Sequence, residues 1–271
     1  MHTIRLPAVA GAFYPGQRDR LLKDVRAMLD VAKTEPGAAL AVRKAVIVPH
    51  AGYIYSGSTA ALAYAHLASN RSVIRRVVLL GPVHRVAVRG LALPDVDVFA
   101  TPLGEVPLDA QAIKSISHLP QVVVSAAAHA QEHSLEVQLP FLQAVLDEFK
   151  LVPLAVGDAT AAEVAQVLET LWGGPETLLV ISSDLSHYLP YRAAQAIDQG
   201  TVERILKLDG SLTHNQACGA TPVNGLLLAA RRHHLQAQFL GLCNSGDTAG
   251  DKDRVVGYTS IAFMEEPRHV A

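Results

Sequence analysis

Short apolar segments rich in β-branched residues recur along the chain and predict buried β-strands. Residues 44–49 read KAVIVP, and similar segments lie at 76–80, 121–125, 151–156, 177–181, 236–242 and 255–264. Continuous apolar runs of this length, with no alternation of polar residues, are typical of strands that are buried on both faces.

Between these runs, apolar residues recur at helical spacing. Leu22, Val25, Met28 and Leu29 would share one stripe of a helix over 21–32. Similar patterns predict helices over 58–67, 134–149, 161–172, 192–208 and 222–233. Pro140 should kink the helix over 134–149 or mark its early turns. Strands that alternate with helices predict an α/β protein, a three-layer sandwich whose central, mostly parallel or mixed sheet carries helices on both faces.

Two segments depart from this alternation. Residues 90–108 are rich in Pro, Asp and Gly and predict a hairpin or an extended loop. Residues 35–41 resemble a linker but are too short to divide the chain. We therefore expect one domain over residues 1–271.

Composition and charge exclude several classes of protein. Charged residues make up 18% of the chain and the formal net charge is -2, with both signs spread along the sequence. No basic footprint for nucleic acid is present, and no apolar run reaches the ~18 residues that a membrane span needs. With two cysteines and no pattern of a secretory signal near the start, we expect a cytoplasmic protein with reduced thiols.

Side chains that bind metals or protons follow the ends of four predicted strands. His50 and His84 follow the first two, Asp184 and His187 follow the strand at 177–181, and Cys243 follows the strand at 236–242. In open α/β sheets, ligands bind beyond the carboxyl ends of the strands. We therefore expect these side chains to meet at one site.

The residue types indicate a transition metal. Two histidines and one anionic ligand are typical of open non-heme iron sites, so His50, His84 and Cys243 are the predicted ligands. Iron(II) is the expected metal, and copper or zinc would suit the same ligands. Cys218, in a Cys-Gly-Ala-Thr-Pro segment, is interpreted as structural.

Other polar side chains are candidates for proton transfer and substrate binding. His187, oriented by Asp184, would act as general acid or base. Tyr55 would hydrogen-bond a substrate. For Glu132 and His133 two interpretations stay open: a favourable position at a helix N-terminus, or the rim of the binding pocket.

Several ordered motifs resemble one known family. They are RLPAVAGAFYP at 5–15, PHAGYIYSG at 49–57, GPVH at 81–84, EHSLE at 132–136, SDLSHY at 183–188 and NSGD at 244–247. The set spans nearly the whole chain and is similar to the Memo family, whose bacterial and archaeal members are called AmmeMemoRadiSam system protein B.

The resemblance implies a fold like that of the class III extradiol dioxygenases, which use non-heme iron to open catechol rings. His50 and His84 match the two metal-binding histidines of that fold, Cys243 takes the place of its carboxylate ligand, and His187 corresponds to its base. The family name also implies two partners, an AMMECR-type protein and a radical SAM enzyme.

Three functions are consistent with these residues. The first is a metal-dependent oxidoreductase that acts on a small molecule. The second is a binding or adaptor module that holds a ligand or partner peptide in the same pocket without turnover. The third is a hydrolase with Cys243 or Ser186 as nucleophile, although the sequence lacks the Gly-x-Ser-x-Gly elbow.

Overall fold

The computed structural model describes residues 3–32 and 43–265, so the expected linker at 35–41 lies outside the described residues. The strands are β1 (Ile4–Arg5), β2 (Arg43–Val48), β3 (Arg76–Pro82), β4 (Leu91–Leu93), β5 (Val98–Thr101), β6 (Gly104–Pro107), β7 (Val122–Val124), β8 (Lys150–Val156), β9 (Thr177–Ser182), β10 (His187–Leu189), β11 (Leu235–Asn244) and β12 (Val255–Glu265). The α-helices are α1 (Arg18–Val31), α2 (Tyr53–Ala65), α3 (Ala110–Ile116), α4 (Ala126–Ala130), α5 (Leu139–Val145), α6 (Ala161–Thr170), α7 (Tyr191–Leu206) and α8 (Ala220–Arg232).

One large mixed sheet organises the molecule. Its central strands run in the order β2-β9-β3-β8 and are parallel to one another. β12 is antiparallel to β2 and carries β11 on its outer side. At the other end, β4 pairs antiparallel with β8 and parallel with β7. The expected three-layer α/β architecture with a mixed sheet is confirmed.

Alternate residues of the central strands face two separate apolar layers. Ile47 and Leu80 pack in the layer that contains α6 and α8, whereas Val46 and Leu79 pack in the layer that contains α1, α2 and α5. All four side chains are fully buried. Strands buried on both faces account for the unbroken apolar runs in the sequence.

The N-terminal segment is anchored by a buried ion pair. Glu136 lies 2.7 Å from the Arg5 guanidinium, and its carboxylate also accepts hydrogen bonds from the backbone of Ala8 and Val9 and from the Tyr14 hydroxyl. Because every lone pair of this buried carboxylate has a donor, the ion pair is well compensated. This ion pair fixes the segment just before Glu136, and that segment carries part of the candidate site.

Two predicted segments differ in extent from the structure. The helix expected over 134–149 is a short 3-10 turn (Glu136–Gln138) followed by α5, with Pro140 in the first turn, where its missing N–H costs nothing. Residues 90–108 contain β4 and the antiparallel hairpin β5–β6. Within the described residues, none of the helices combines the length and the apolar character that a membrane span requires.

Candidate metal centre

Three neighbouring parallel strands deliver polar side chains to one edge of the sheet. His50 follows the end of β2, Asp184 follows the end of β9, and His84 follows the end of β3. In the sheet, β9 lies between β2 and β3. The Asp184 carboxylate accepts the backbone N–H of His50 at 2.7 Å, which ties two of these strand ends together. This edge is where an open α/β sheet binds its ligands.

The hydrogen bonds around His50 fix its tautomer. Nδ1 lies 2.9 Å from Ser182 Oγ, and that hydroxyl donates its single proton to the Ser134 carbonyl at 2.6 Å. Ser182 Oγ also accepts from the Gln138 amide at 2.8 Å. The hydroxyl therefore accepts from Nδ1–H of His50, and the lone pair of this imidazole lies on Nε2.

Glu132 fixes His84 in the same way. One carboxylate oxygen lies 2.8 Å from His84 Nδ1 and accepts the backbone N–H groups of His133 and Ser134, while the other accepts the backbone N–H of His84 at 2.6 Å. Burial alone would raise the pKa of Glu132, but the hydrogen bonds, led by that from His84, lower it to about 2. An ionised Glu132 makes Nδ1 of His84 the donor, so in the neutral imidazole the lone pair lies on Nε2.

His133 completes a group of three imidazoles. Potential ligand atoms of His50, His84 and His133 all lie within 4.8 Å of one another. The His84 and His133 rings stack at 4.6 Å between centroids, and His133 Nδ1 lies 3.4 Å from the same Glu132 carboxylate. His133, for which a helix N-terminus and the rim of a pocket were both open interpretations, thus lies within the group.

The chemistry of this donor set fits a transition metal. Burial and the neighbouring imidazoles hold the pKa of His50 well below its usual value, and burial lowers that of His133 to about 4. Both rings are therefore neutral near pH 7, the form that coordinates metals. Metal-binding histidines usually donate their second ring N–H to a carboxylate or another oxygen, as His84 does to Glu132 and His50 to Ser182.

The predicted proton-transfer residues lie close by but in a different arrangement. His187 Nδ1 lies 2.9 Å from the Leu185 carbonyl, so its hydrogen bond is to that carbonyl and not to the Asp184 carboxylate. Asp184 instead holds the backbone of His50, and burial raises its pKa to about 7. Tyr55 lies in the first turn of α2 and is partly exposed.

Cys243 lies outside the histidine group. Among the described residues, its thiol contacts the Thr59 hydroxyl at 3.0 Å, and burial raises its pKa. β11 is separated from β2 by one strand, β12, just as β3 is separated from β2 by β9, so strand order alone does not decide whether Cys243 reaches the metal. The sequence places residues at strand ends but does not give the order of the strands.

Cys218, interpreted from the sequence as structural, lies beside the site. Its sulfur is 3.3 Å from His50 Nε2, the nitrogen that carries the lone pair. Burial raises the pKa of this thiol to about 12, so it is protonated and able to donate to Nε2. Its position before α8, which packs against the sheet, was not apparent from the spacing of the cysteines.

Fold and site together define an α/β protein with three histidines, at the carboxyl edge of its sheet, whose ligand atoms are close enough together to hold a metal ion. Residues 5–262 match the family model described as Memo-like protein. The chain is 34% identical to a MEMO1 family protein of Sulfurisphaera tokodaii, over 96% of this chain and 99% of that protein. It is 35% identical to one of Aquifex aeolicus, over 96% and 99%. The chain belongs to the Memo family.

The crystal structure of uncharacterized protein JW3007 from Escherichia coli K12 matches with a TM-score of 0.48 and 14% identity, over 80% of this chain and 98% of that one. This similarity is too distant to bear on function.

Proposed function

We propose that this protein is a metal-dependent oxidoreductase in which His50, His84 and His133 hold an iron(II) ion, with copper or zinc as alternative metals. The observation that supports the proposal is the fixed orientation of two of the three imidazoles. Ser182 and Glu132 accept the Nδ1 protons of His50 and His84, so the lone pair of each neutral ring lies on Nε2, and a metal would displace the Cys218 thiol from that of His50. Bound there, the metal would supply a Lewis acid and a redox centre with open coordination positions.

His187 is the proposed proton acceptor. Its Nδ1 faces the Leu185 carbonyl and therefore carries the proton, which leaves Nε2 as the basic atom. Burial lowers the pKa of His187, so the imidazole is neutral near pH 7 and free to take a proton from a substrate hydroxyl. In this proposal Asp184 positions the backbone of His50, and the partly exposed Tyr55 is the hydrogen-bond donor to substrate.

The proposal is tested on protein that is purified without oxygen and loaded with iron(II). Nitric oxide added to the iron form reports open coordination positions through electron paramagnetic resonance. We expect a nitrosyl signal in the wild type and in His187→Gln, which removes no ligand, and none in His84→Ala. Stoichiometric iron with no nitrosyl signal would contradict oxygen chemistry at this site.

A second candidate function is a binding module that holds a small molecule or a peptide in the same pocket. Ile54 and Tyr188 are 72% and 61% exposed, and Tyr55 is 38% exposed. All three lie within a few residues of His50 or His187, and exposed apolar side chains next to a pocket favour binding of a partner. Turnover of a small molecule that is lost in His187→Gln would contradict this candidate.

The resemblance described above also leads us to propose two partners, an AMMECR-type protein and a radical SAM enzyme. Co-elution of the purified chains in size-exclusion chromatography is the expected result, and separate elution at micromolar concentration would contradict direct binding. The cytoplasm is the proposed location, and the unbonded thiols of Cys218 and Cys243 suit its reducing conditions.

A further inference from the structure

A second cavity lies between helix α7 and the end of strand β11. It has a volume of about 420 Å³, which is within the range of small-molecule sites. Arg192, Gln195, Asp198 and Gln199 line it from α7, residues 242–244 line it from β11, and Asp247, whose carboxylate accepts the Tyr191 hydroxyl, lines it just beyond that strand. None of these side chains belongs to the histidine group.

Asp198 occupies a position on α7 where an apolar residue is expected. The buried stripe of this helix consists of Ala194, Asp198, Thr201, Val202 and Ile205. Asp198 is 1% exposed, and a helix that packs on a sheet normally fills such a stripe with apolar side chains. A carboxylate in this position is costly unless a charged partner compensates it.

The described part of the chain supplies no such charged partner. One carboxylate oxygen of Asp198 accepts the backbone N–H of Ser186 at 3.0 Å. The other lies against Gly257, where a β-carbon would be 2.0 Å away, so the sequence leaves space for this carboxylate. Burial raises the pKa of Asp198 to about 6, and no nearby cation lowers it. An asparagine would make the same bond to Ser186 without the cost of a buried charge.

The opposite charge stands on the rim of the cavity. Arg192 is exposed, and no carboxylate of the described residues pairs with it. Six residues separate Arg192 from Asp198, which corresponds to about 9 Å along a helix axis. Gln195 and Gln199 lie on the same side of α7 and offer amide donors and acceptors between and beside these charges.

We propose that this cavity binds a small zwitterion, with its ammonium group on Asp198 and its acid group, several methylenes away, on Arg192. The ammonium compensates the buried carboxylate, and several methylenes are needed to span the rise of about 9 Å between the two positions on the helix. This inference does not depend on the metal centre, and its test uses the metal-free full chain.

The probe is 6-aminohexanoate, measured by titration calorimetry beside hexylamine, hexanoate and glycine. We expect 6-aminohexanoate to bind most tightly, hexylamine more weakly, and hexanoate and glycine not at all at millimolar concentration. Asp198→Asn, which keeps the hydrogen bond to Ser186, should lower the affinity for 6-aminohexanoate at least about tenfold. Glu203→Gln removes an exposed carboxylate from the same helix and should leave binding unchanged.

Arg192→Gln is the second variant, and it tests the contact with the acid group separately from the contact with the ammonium group. This variant should bind 6-aminohexanoate only as tightly as it binds hexylamine, and its affinity for hexylamine should equal that of wild type. Equal binding by wild type and Asp198→Asn would overturn the proposal. So would hexanoate binding more tightly than hexylamine, or no binding of any amine by the folded wild type.

Discussion

Replacement of Glu132 by glutamine tests how the second ring nitrogens of the histidines control the metal site. The Glu132 carboxylate is 2% exposed and accepts four N–H groups: His84 Nδ1, and the backbone N–H groups of His84, His133 and Ser134. Glutamine has nearly the same shape but only one acceptor oxygen. In either orientation of the amide, its NH₂ group faces at least one N–H donor of this set.

The magnitude follows from these contacts. A hydrogen bond to a charged group contributes about 1.5–3 kcal/mol, and at least one such bond is lost in Glu132→Gln. Loss of the carboxylate behind a metal-binding imidazole typically reduces metal affinity about 10- to 100-fold, or about 1.4–2.7 kcal/mol. We therefore expect Glu132→Gln to bind iron(II) or zinc about 10- to 100-fold more weakly than wild type.

The assay is a competition titration against a chromophoric chelator, with circular dichroism to confirm the fold. Glu105→Gln is the matched control, because Glu105 is exposed on β6 and contacts none of the histidines. Its affinity should equal that of wild type. A folded Glu132→Gln variant with wild-type affinity would refute the argument that Glu132 prepares His84 for a metal.

Three further predictions concern stability. Lys44 is buried, and its ammonium group donates to backbone carbonyls including that of Thr177. Lys44→Met should therefore lower the free energy of unfolding, measured by urea denaturation, by about 2 kcal/mol. An unchanged midpoint of the urea transition would contradict this. Asp198→Asn should stabilise the protein at pH 7.5 by up to about 3 kcal/mol, since burial raises the pKa of Asp198 from 3.8 to about 6 at about 1.4 kcal/mol per pKa unit. Because the pKa of Asp198 is raised in the folded state, its ionisation destabilises the folded state above pH ~6. The stability gained in Asp198→Asn should therefore vanish as the pH falls to about 4, and a gain that does not depend on pH would refute the prediction. Gly90→Ala should lower the melting temperature by several degrees, because Gly90 has φ of 87° and a β-carbon would lie 2.0 Å from the Gln121 carbonyl; a wild-type melting temperature would contradict this.

The layered fold could be predicted because its signal is local. The apolar run at 44–49 became β2, and the pattern over 161–172 became α6, whose N-terminus carries a capping box formed by Thr160 and Glu163. The helix predicted over 134–149 is longer than the one in the structure. The helical spacing of leucines continues past residue 145, but the backbone becomes extended at Leu146. Periodicity does not record where long-range contacts end a helix.

The site could be predicted only in part, because it depends on the order of the strands. His50 and His84 follow β2 and β3, which are separated only by β9, so the strand-end argument brought them together correctly. Cys243 lies near the end of β11, which is separated from β2 only by β12, and its role as a ligand stays a prediction because it is not among the three side chains grouped within 4.8 Å. His133 follows no strand of the sheet, and its position depends on the contacts of Glu132, which a sequence pattern does not reveal.

We propose that His133, in place of the predicted ligand Cys243, joins His50 and His84 at the metal. The most direct measurement is the metal affinity of anaerobically prepared wild type, His133→Asn and Cys243→Ser, determined by the same competition titration. We expect His133→Asn to bind the metal at least about tenfold more weakly than wild type and Cys243→Ser to bind it as tightly as wild type. Wild-type affinity in His133→Asn together with a loss in Cys243→Ser would contradict this proposal.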